Sequence, residues 1–165
     1  MHPTMIPFSH PLANVRGSFN AIFLNGSAVG DLMLYGRGAG ALPTASAVVS
    51  DVIHACTARA HKYPSFRNEY DVAAELRFEN NWQSEFFIRI STEDKPGVLA
   101  AIAGVFAKYG VSIAAVIQKG RGRSFVPLIF VTHKANEISI KQAAADIQYI
   151  PQVIEVANII RVENG

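Results

Sequence analysis

The chain has one cysteine, Cys56, among 165 residues, so no internal disulfide can form and a reducing compartment is the default. A buried, inert thiol is the expectation for it. Charge is also scarce: only 17% of residues are charged, the net charge is +2, and Lys and Arg are scattered rather than clustered. That removes the electrostatic footprint a nucleic acid or an anionic membrane would need. No apolar run reaches the ~18 residues of a spanning helix, and the start lacks the basic and apolar regions of a signal peptide. A cytoplasmic protein is expected. His2, His10, His54, His61 and His133 fall at no metal-ligand spacing, so no metal site is expected, and Ser46 and Ser50 lie in no nucleophile-elbow pattern. What the chain has in excess is apolar surface. Half of its residues are hydrophobic and the mean hydropathy is +0.19, high for a small protein that must cover itself with polar groups. Some of that surface should be buried against a partner chain or a further domain. The opening, Met1 to Pro7, runs straight into structured-looking sequence, which suggests a chain cut from something longer.

In the first half, Ser18 to Leu24 reads as a strand, Asn25-Gly26 as a tight turn and Ala28 to Tyr35 as the returning strand. A glycine-rich loop from Gly36 to Ser46 follows, and Val48, Val49, Val52, Ile53 and Cys56 then recur at helical spacing. Gly36, Gly38 and Ala41 satisfy the relaxed dinucleotide pattern G-x-G-x-x-A. No second strand with a ribose-binding acid follows, however: Asp51 lies inside the helix, and the next strand begins only near Glu85. A Rossmann unit is therefore not expected within this chain. On spacing alone the loop serves either an electron-rich ligand or close helix–sheet packing.

Residues 63–84 break the pattern and read as a linker whose aromatics, Tyr63, Phe66, Tyr70, Phe78 and Trp82, pin it to neighbouring surfaces. From Glu85 the periodicities alternate. Phe86, Ile88 and Ile90 face one way on a strand, and Val98 or Leu99, Ile102, Phe106 and Tyr109 form a helical stripe that ends at Gly110. Val111, Ile113, Ala115 and Ile117 alternate on a second strand; a turn at Lys119 to Arg123 leads to a third, Phe125 to Thr132. A second helix, capped by the box Ser139-Ile140-Lys141-Gln142, precedes a last strand, Val153 to Val162. The order βαββαβ implies two helices on one face of a four-stranded antiparallel sheet. On the other face Phe87, Ala114 and Val116 should form a partly apolar surface. The polar turn Ser91 to Leu99 joins the first strand to the first helix. Pro96 suits a first helical turn, Gly97 permits close approach to the backbone, and the helix N-terminus offers free N–H groups to a carboxylate.

The motifs carry two resemblances. His2-Pro3-Thr4 with Ile6-Pro7, His10-Pro11-Leu12-Ala13, Val15 to Ala21, Tyr35 to Gly40 and Pro43 to Val48 occur in order, and they resemble the end of the homoserine dehydrogenase catalytic region. The resemblance implies an enzyme that interconverts homoserine and aspartate semialdehyde with NADP or NAD. Its glycine loop, here Gly38, Ala39 and Gly40, would close over the cofactor, and its hairpin would belong to a dimerisation sheet. The Rossmann domain, the catalytic lysine and the homoserine-binding acids lie upstream in that family, so this chain alone should bind no cofactor tightly and catalyse nothing. Asp94-Lys95-Pro96-Gly97-Val98-Leu99 within the βαββαβ pattern resembles an ACT domain, the amino-acid-sensing module. That resemblance implies pairing between copies and a small amino-acid effector, threonine first. The N–H groups of Gly97, Val98 and Leu99, following Pro96, would take its carboxylate. Asp94 would take its ammonium or else simply cap the helix, and Ile113 to Gln118 would line the pocket.

RNA-recognition motifs share the strand order, and Arg121, Gly122, Phe125 and Val126 match their third-strand signature. Arg123 and Leu128 occupy slots that need stacking aromatics, and Pro127 removes a strand donor, so RNA binding is set aside. The expectation is an α+β chain. Residues 1–62 would be part of a catalytic sheet with a helix, 63–84 a linker, and 85–163 a ferredoxin-like ACT domain. The chain would be a regulatory fragment of an NAD(P)-dependent dehydrogenase or, alternatively, a free-standing amino-acid sensor.

Overall fold

The computed structural model describes residues 2–57, 81–118 and 125–163. The chain divides into two compact units, Met1–Pro7 with Phe78–Gly165, and Phe8–Arg77.

The first unit is built on strands β4 (Gln83–Thr92), β5 (Ile113–Gln118), β6 (Val126–Thr132) and β8 (Val153–Val162), with helices α2 (Val98–Lys108) and α3 (Glu137–Ile147). A short strand β1 (Thr4–Met5) and a two-residue β7 (Ala135–Asn136) complete it. The sheet order is β1-β8-β4-β6-β5, with β7 paired to the start of β4. The four long strands are antiparallel to their neighbours, as the βαββαβ order requires. Phe86, Ile88 and Ile90 of β4 and Leu128 and Phe130 of β6 are buried against Val98, Ile102 and Phe106 of α2 and Ile140, Ala143 and Ile147 of α3. Each large side chain in that set contributes about 1.5–3 kcal/mol by leaving water. Helix α2 forms because its stripe recurs every four residues, and Val98 rather than Leu99 starts it. It stops because Gly110, at φ +67°, takes the left-handed conformation. The Val111 N–H then reaches the Phe106 carbonyl at 2.9 Å and Gly110 N–H the Ala107 carbonyl at 3.0 Å, closing a Schellman motif.

Four expectations are corrected in this unit. Thr4 and Met5, assigned to the first half, pair in parallel with Arg161 and Val162 of β8. Gln83 and Ser84, assigned to the linker, are already strand, because β7 pairs with them. Ser139 does not cap α3: the helix starts at Glu137, whose N–H is held by the Trp82 carbonyl at 2.8 Å, and its N-cap is Asn136. Val116 does not lie on the helix-free face. The β5–β6 register shifts between Ile113 and Ala115, so Val116 sits opposite buried Phe130, and Ala115 and Ile117 turn outward instead. The outer face therefore joins Ala115 and Ile117 to Ile129, Val131, Phe87 and Ile160.

The second unit contains a hairpin, β2 (Phe19–Gly26) and β3 (Gly30–Arg37), and helix α1 (Ala41–Thr57). Asn25-Gly26 is not the turn. The ladder runs on to the pair Gly26–Gly30, held by an Asn25–Asp31 side-chain hydrogen bond of 2.6 Å, and the chain reverses through Ser27, Ala28 and Val29 into Gly30 at φ +71°. Helix α1 starts at Ala41, five residues before the expected end of the glycine loop. It has no buried residue: Val48, Val49, Val52 and Ile53 are 55–58% exposed, and Cys56 is exposed rather than buried. Every residue of β3 is exposed as well. The remaining linker aromatics and the turn at Lys119 to Arg123, with the RNA-motif arginines, lie outside the described residues.

Candidate functional site

At the top of the sheet, β4 runs into the turn Glu93 to Gly97. Burial of Ser91 and Thr92 fixes the end of the strand, and the Glu93 N–H donates to the Gln152 carbonyl at 2.9 Å, tying the turn to the start of β8. Lys95 Nζ lies 2.6 Å from Glu93 Oε2 in an exposed ion pair. Gly97, at φ +89° and ψ −17°, is the N-cap of α2, and a left-handed cap of this kind excludes side chains that other positions accept. Two expectations change as a result. Pro96 stands just outside the helix rather than in its first turn, and Asp94 does not cap it.

Asp94 has a different partner. Its Oδ1 accepts a hydrogen bond from Gln118 Nε2 at 3.2 Å, across 24 residues of sequence. Since β5 is parallel in direction to β4, its C-terminal residue arrives beside the turn that ends β4. Both side chains are exposed, so each keeps hydrogen-bonding capacity for a third group. Val98 N–H makes only a long 3.4 Å contact with the Lys95 carbonyl, and the first regular helical bond is Ala101 N–H to Gly97. Among the described residues, the Leu99 and Ala100 N–H groups have no backbone acceptor. They carry the partial positive charge of the helix end. A carboxylate acceptor, an amide and unpaired N–H groups are thus gathered at one strand-to-helix junction. A Cβ at Gly97 would meet nothing within 4 Å, so the space above it is open.

Ile113 does not join them. It is at the other end of β5, about 17 Å from Gln118 at strand rise, opposite Thr132 and packed on the hydrophobic core. The strand direction that delivers Gln118 removes Ile113.

The glycine loop separates into two roles. A Cβ on Gly38 would lie 1.5 Å from Asn20 Nδ2, so the space a side chain would fill is taken by Asn20, and the Gly38 N–H donates to the Ser18 carbonyl at 3.0 Å. A side chain at Gly38 would therefore displace Asn20. Gly40, at φ +128°, accepts the Thr44 N–H at 3.0 Å and leads the chain into α1, while Ala39 and Gly40 stay exposed.

Two polar clusters involve residues that no sequence motif singles out. Glu137 is bound by Arg161 and, at 2.8 Å, by Lys141 one helical turn on; the Lys141 and then the Arg161 hydrogen bonds hold its carboxyl below the ordinary range. Asp146 accepts from Lys108 Nζ and Tyr109 Oη, both at 2.7 Å, which joins α3 to α2, lowers the Asp146 carboxyl and raises Lys108. The Glu137–Lys141 spacing was legible as an i,i+4 pair. The Arg161 and Lys108 partners, at long range, were not. Among the described residues no helix is long and apolar enough to cross a membrane.

Residues 1–53 match the family model for homoserine dehydrogenase, and residues 86–152 match that for the ACT domain. The homoserine dehydrogenase of Neisseria gonorrhoeae is 39% identical over 171 residues, covering 99% of this chain and 39% of its own. That of Corynebacterium glutamicum is 36% identical, covering 99% of this chain and 36% of its own. A crystal structure of a homoserine dehydrogenase from Thiobacillus denitrificans superposes with a TM-score of 0.78 at 34% identity, over 99% of this chain and 38% of that one. A second, from S. aureus, gives 0.53 at 26% identity, over 98% and 37%. The chain thus spans less than two fifths of the length of these relatives.

Proposed function

We propose that this chain, whose two parts match homoserine dehydrogenase and the ACT domain, is the regulatory end of an NAD(P)-dependent homoserine dehydrogenase and that the Glu93–Leu99 junction is its amino-acid effector site. The observation that carries the proposal is the Asp94–Gln118 hydrogen bond beside the open α2 N-terminus. An α-amino acid presents an ammonium and a carboxylate one carbon apart. Asp94 Oδ1, with Gln118 holding its orientation, suits the ammonium, and the Leu99 and Ala100 N–H groups suit the carboxylate. Gly97 presents no side-chain bulk toward that space, and buried Val98 holds the start of the helix in place. Threonine is the effector proposed first, since its hydroxyl can use the polar rim of the junction.

NADP or NAD would supply hydride chemistry in the longer enzyme. Of this chain, Ala39 and Gly40 would meet the cofactor with backbone alone, while Gly38 keeps the loop seated on Asn20. No lysine or carboxylate of a catalytic set is assigned here, so the chain by itself is proposed to be inactive. Its coupling to chemistry would be an effector-dependent shift between two conformations, typically worth 1–3 kcal/mol. Assembly as a homo-oligomer, in the cytoplasm, goes with this. The exposed apolar faces of β3 and α1 need cover, and in the ACT sheet β1 pairs with the last residues of β8 while, among the described residues, the β5 edge is unpaired and available to a second copy.

Gel filtration with and without threonine, run beside a homoserine-dependent NADP(H) assay, tests the proposal. A threonine-dependent change in elution with no turnover is expected. Turnover by this chain alone would overturn the assignment.

A further inference from the structure

Strand β8 lies outside both matched spans, since the dehydrogenase match ends at residue 53 and the ACT match at 152, yet it touches both. Its first end is bound to the effector junction. Val153 pairs with Thr92, Glu155 pairs with Ser91 and accepts its hydroxyl at 3.4 Å, and the Gln152 carbonyl takes the Glu93 N–H. Its last end is bound to the dehydrogenase-matched segment, through Thr4–Arg161, Met5–Val162 and the Glu163 N–H to the Met5 carbonyl at 2.9 Å. A ten-residue strand spans about 30 Å, so β8 is a single covalent element joining two distant places.

The two ends differ in how firmly they are held. The β8–β4 ladder shifts register between Arg89 and Ile90 and again between Ser91 and Thr92, so both irregularities sit toward the effector end, where a small rearrangement can be absorbed. At the other end β1 is two residues long and is flanked by Pro3 and Pro7, neither of which can donate to a ladder. Just before it, His2 and Pro3 line an open cleft of about 170 Å³ with Phe86, Ile140, Ile159 and the Glu137–Lys141–Arg161 cluster, so the chain that leads into the strand is loosely packed. Two ladder positions and the Glu163–Met5 hydrogen bond hold it on β8, a hold small enough for local opening.

We infer that β1 is a regulatory strap whose docking on β8 is governed by the effector junction through β8 itself. Effector binding orders the Glu93–Gln152 and Ser91–Glu155 contacts, steadies the register of β8 and favours the docked strap. The strap in turn is the part of the dehydrogenase-matched segment that is hydrogen-bonded into the ACT sheet. The inference rests on the effector site proposed above. Because coupling is reciprocal, a change that releases the strap must weaken effector binding by the same factor by which the effector favours docking.

The test uses the whole chain. Amide hydrogen exchange at Glu163, whose N–H is bonded directly to Met5, is followed by NMR with and without saturating threonine, and threonine affinity is measured by calorimetry on the same samples. Met5→Pro removes a donor from β1, while Met5→Val keeps it. Expected are a several-fold slowing of Glu163 exchange on threonine binding and at least about fivefold weaker threonine binding in Met5→Pro, with Met5→Val unchanged. Threonine binding with unaltered Glu163 exchange and wild-type affinity in Met5→Pro would overturn the strap and leave the effector site standing. Absence of binding by any small amino acid to the wild-type chain would overturn both.

Discussion

The two units draw on similar apolar residues and use them in opposite ways. In the ACT unit, Ile102 and Phe106 of α2 are fully buried; in the other, Val48 and Val52 of α1 hold the same four-residue spacing and are more than half exposed. Periodicity therefore marks which face of a helix wants cover without saying where the cover comes from. The ACT unit supplies its own, because two helices and a four-stranded sheet close over one another. Among the described residues of the other unit, the hairpin and α1 do not do so, and their apolar faces stay exposed.

The sharpest way to break that contrast is truncation in each unit. Phe106→Ala should cost about 3–5 kcal/mol of unfolding free energy, since it empties a fully buried ring site. Val52→Ala should cost no more than about 0.5 kcal/mol, because that side chain is 56% exposed. Urea denaturation followed by far-UV circular dichroism measures both, and equal losses would show that the two units do not differ as described. A smaller effect is expected at Gly97. Gly97→Ala places a Cβ at φ +89° with nothing to clash against, so its cost is backbone strain alone, about 1–2 kcal/mol. A Gly97→Ala chain as stable as wild type would deny the left-handed cap.

Smaller again is the contribution of Glu137, and it depends on pH. Its carboxyl is held below the ordinary value of 4.5 in the folded chain. The stability it contributes is present above that value, where the unfolded chain also carries the charge, and is lost as pH falls through the lower folded value. Denaturation midpoints of wild type should therefore decline more steeply below about pH 4.5 than those of Glu137→Gln. Parallel acid limbs would mean that Lys141 and Arg161 do not favour the charged form.

Much of the ACT unit could be read from the sequence because its signals are local. The four-residue stripe of α2 and the glycine at its end needed no knowledge of distant partners, and the burial of Phe86, Ile88 and Ile90 followed from simple alternation. What escaped was set at long range. Asn25-Gly26 is a strong hairpin signal on its own, but continued pairing as far as Gly26–Gly30 moved the reversal by three residues. The shift of register after Ile113 reversed the faces of Val116 and Ile117. Strand β1 has too few residues to show any period. At the candidate site, Asp94 and Gln118 were singled out through the resemblance to amino-acid-sensing modules, and the structure brings them within hydrogen-bonding distance. Ile113 came from the same source and is excluded by strand direction. In the glycine loop, the need for glycine at position 38 comes from Asn20, a partner 18 residues away that no local pattern shows.

The central claim is that the junction from Glu93 to Leu99, with Gln118, holds an amino-acid effector. Calorimetric titration of threonine and other small amino acids into the wild-type and Asp94→Ala chains tests it most directly. The account predicts saturable binding of threonine to wild type and at least about tenfold weaker binding, some 1.4 kcal/mol, to Asp94→Ala. No binding of any of them to wild type, or equal affinity in the two chains, would contradict it.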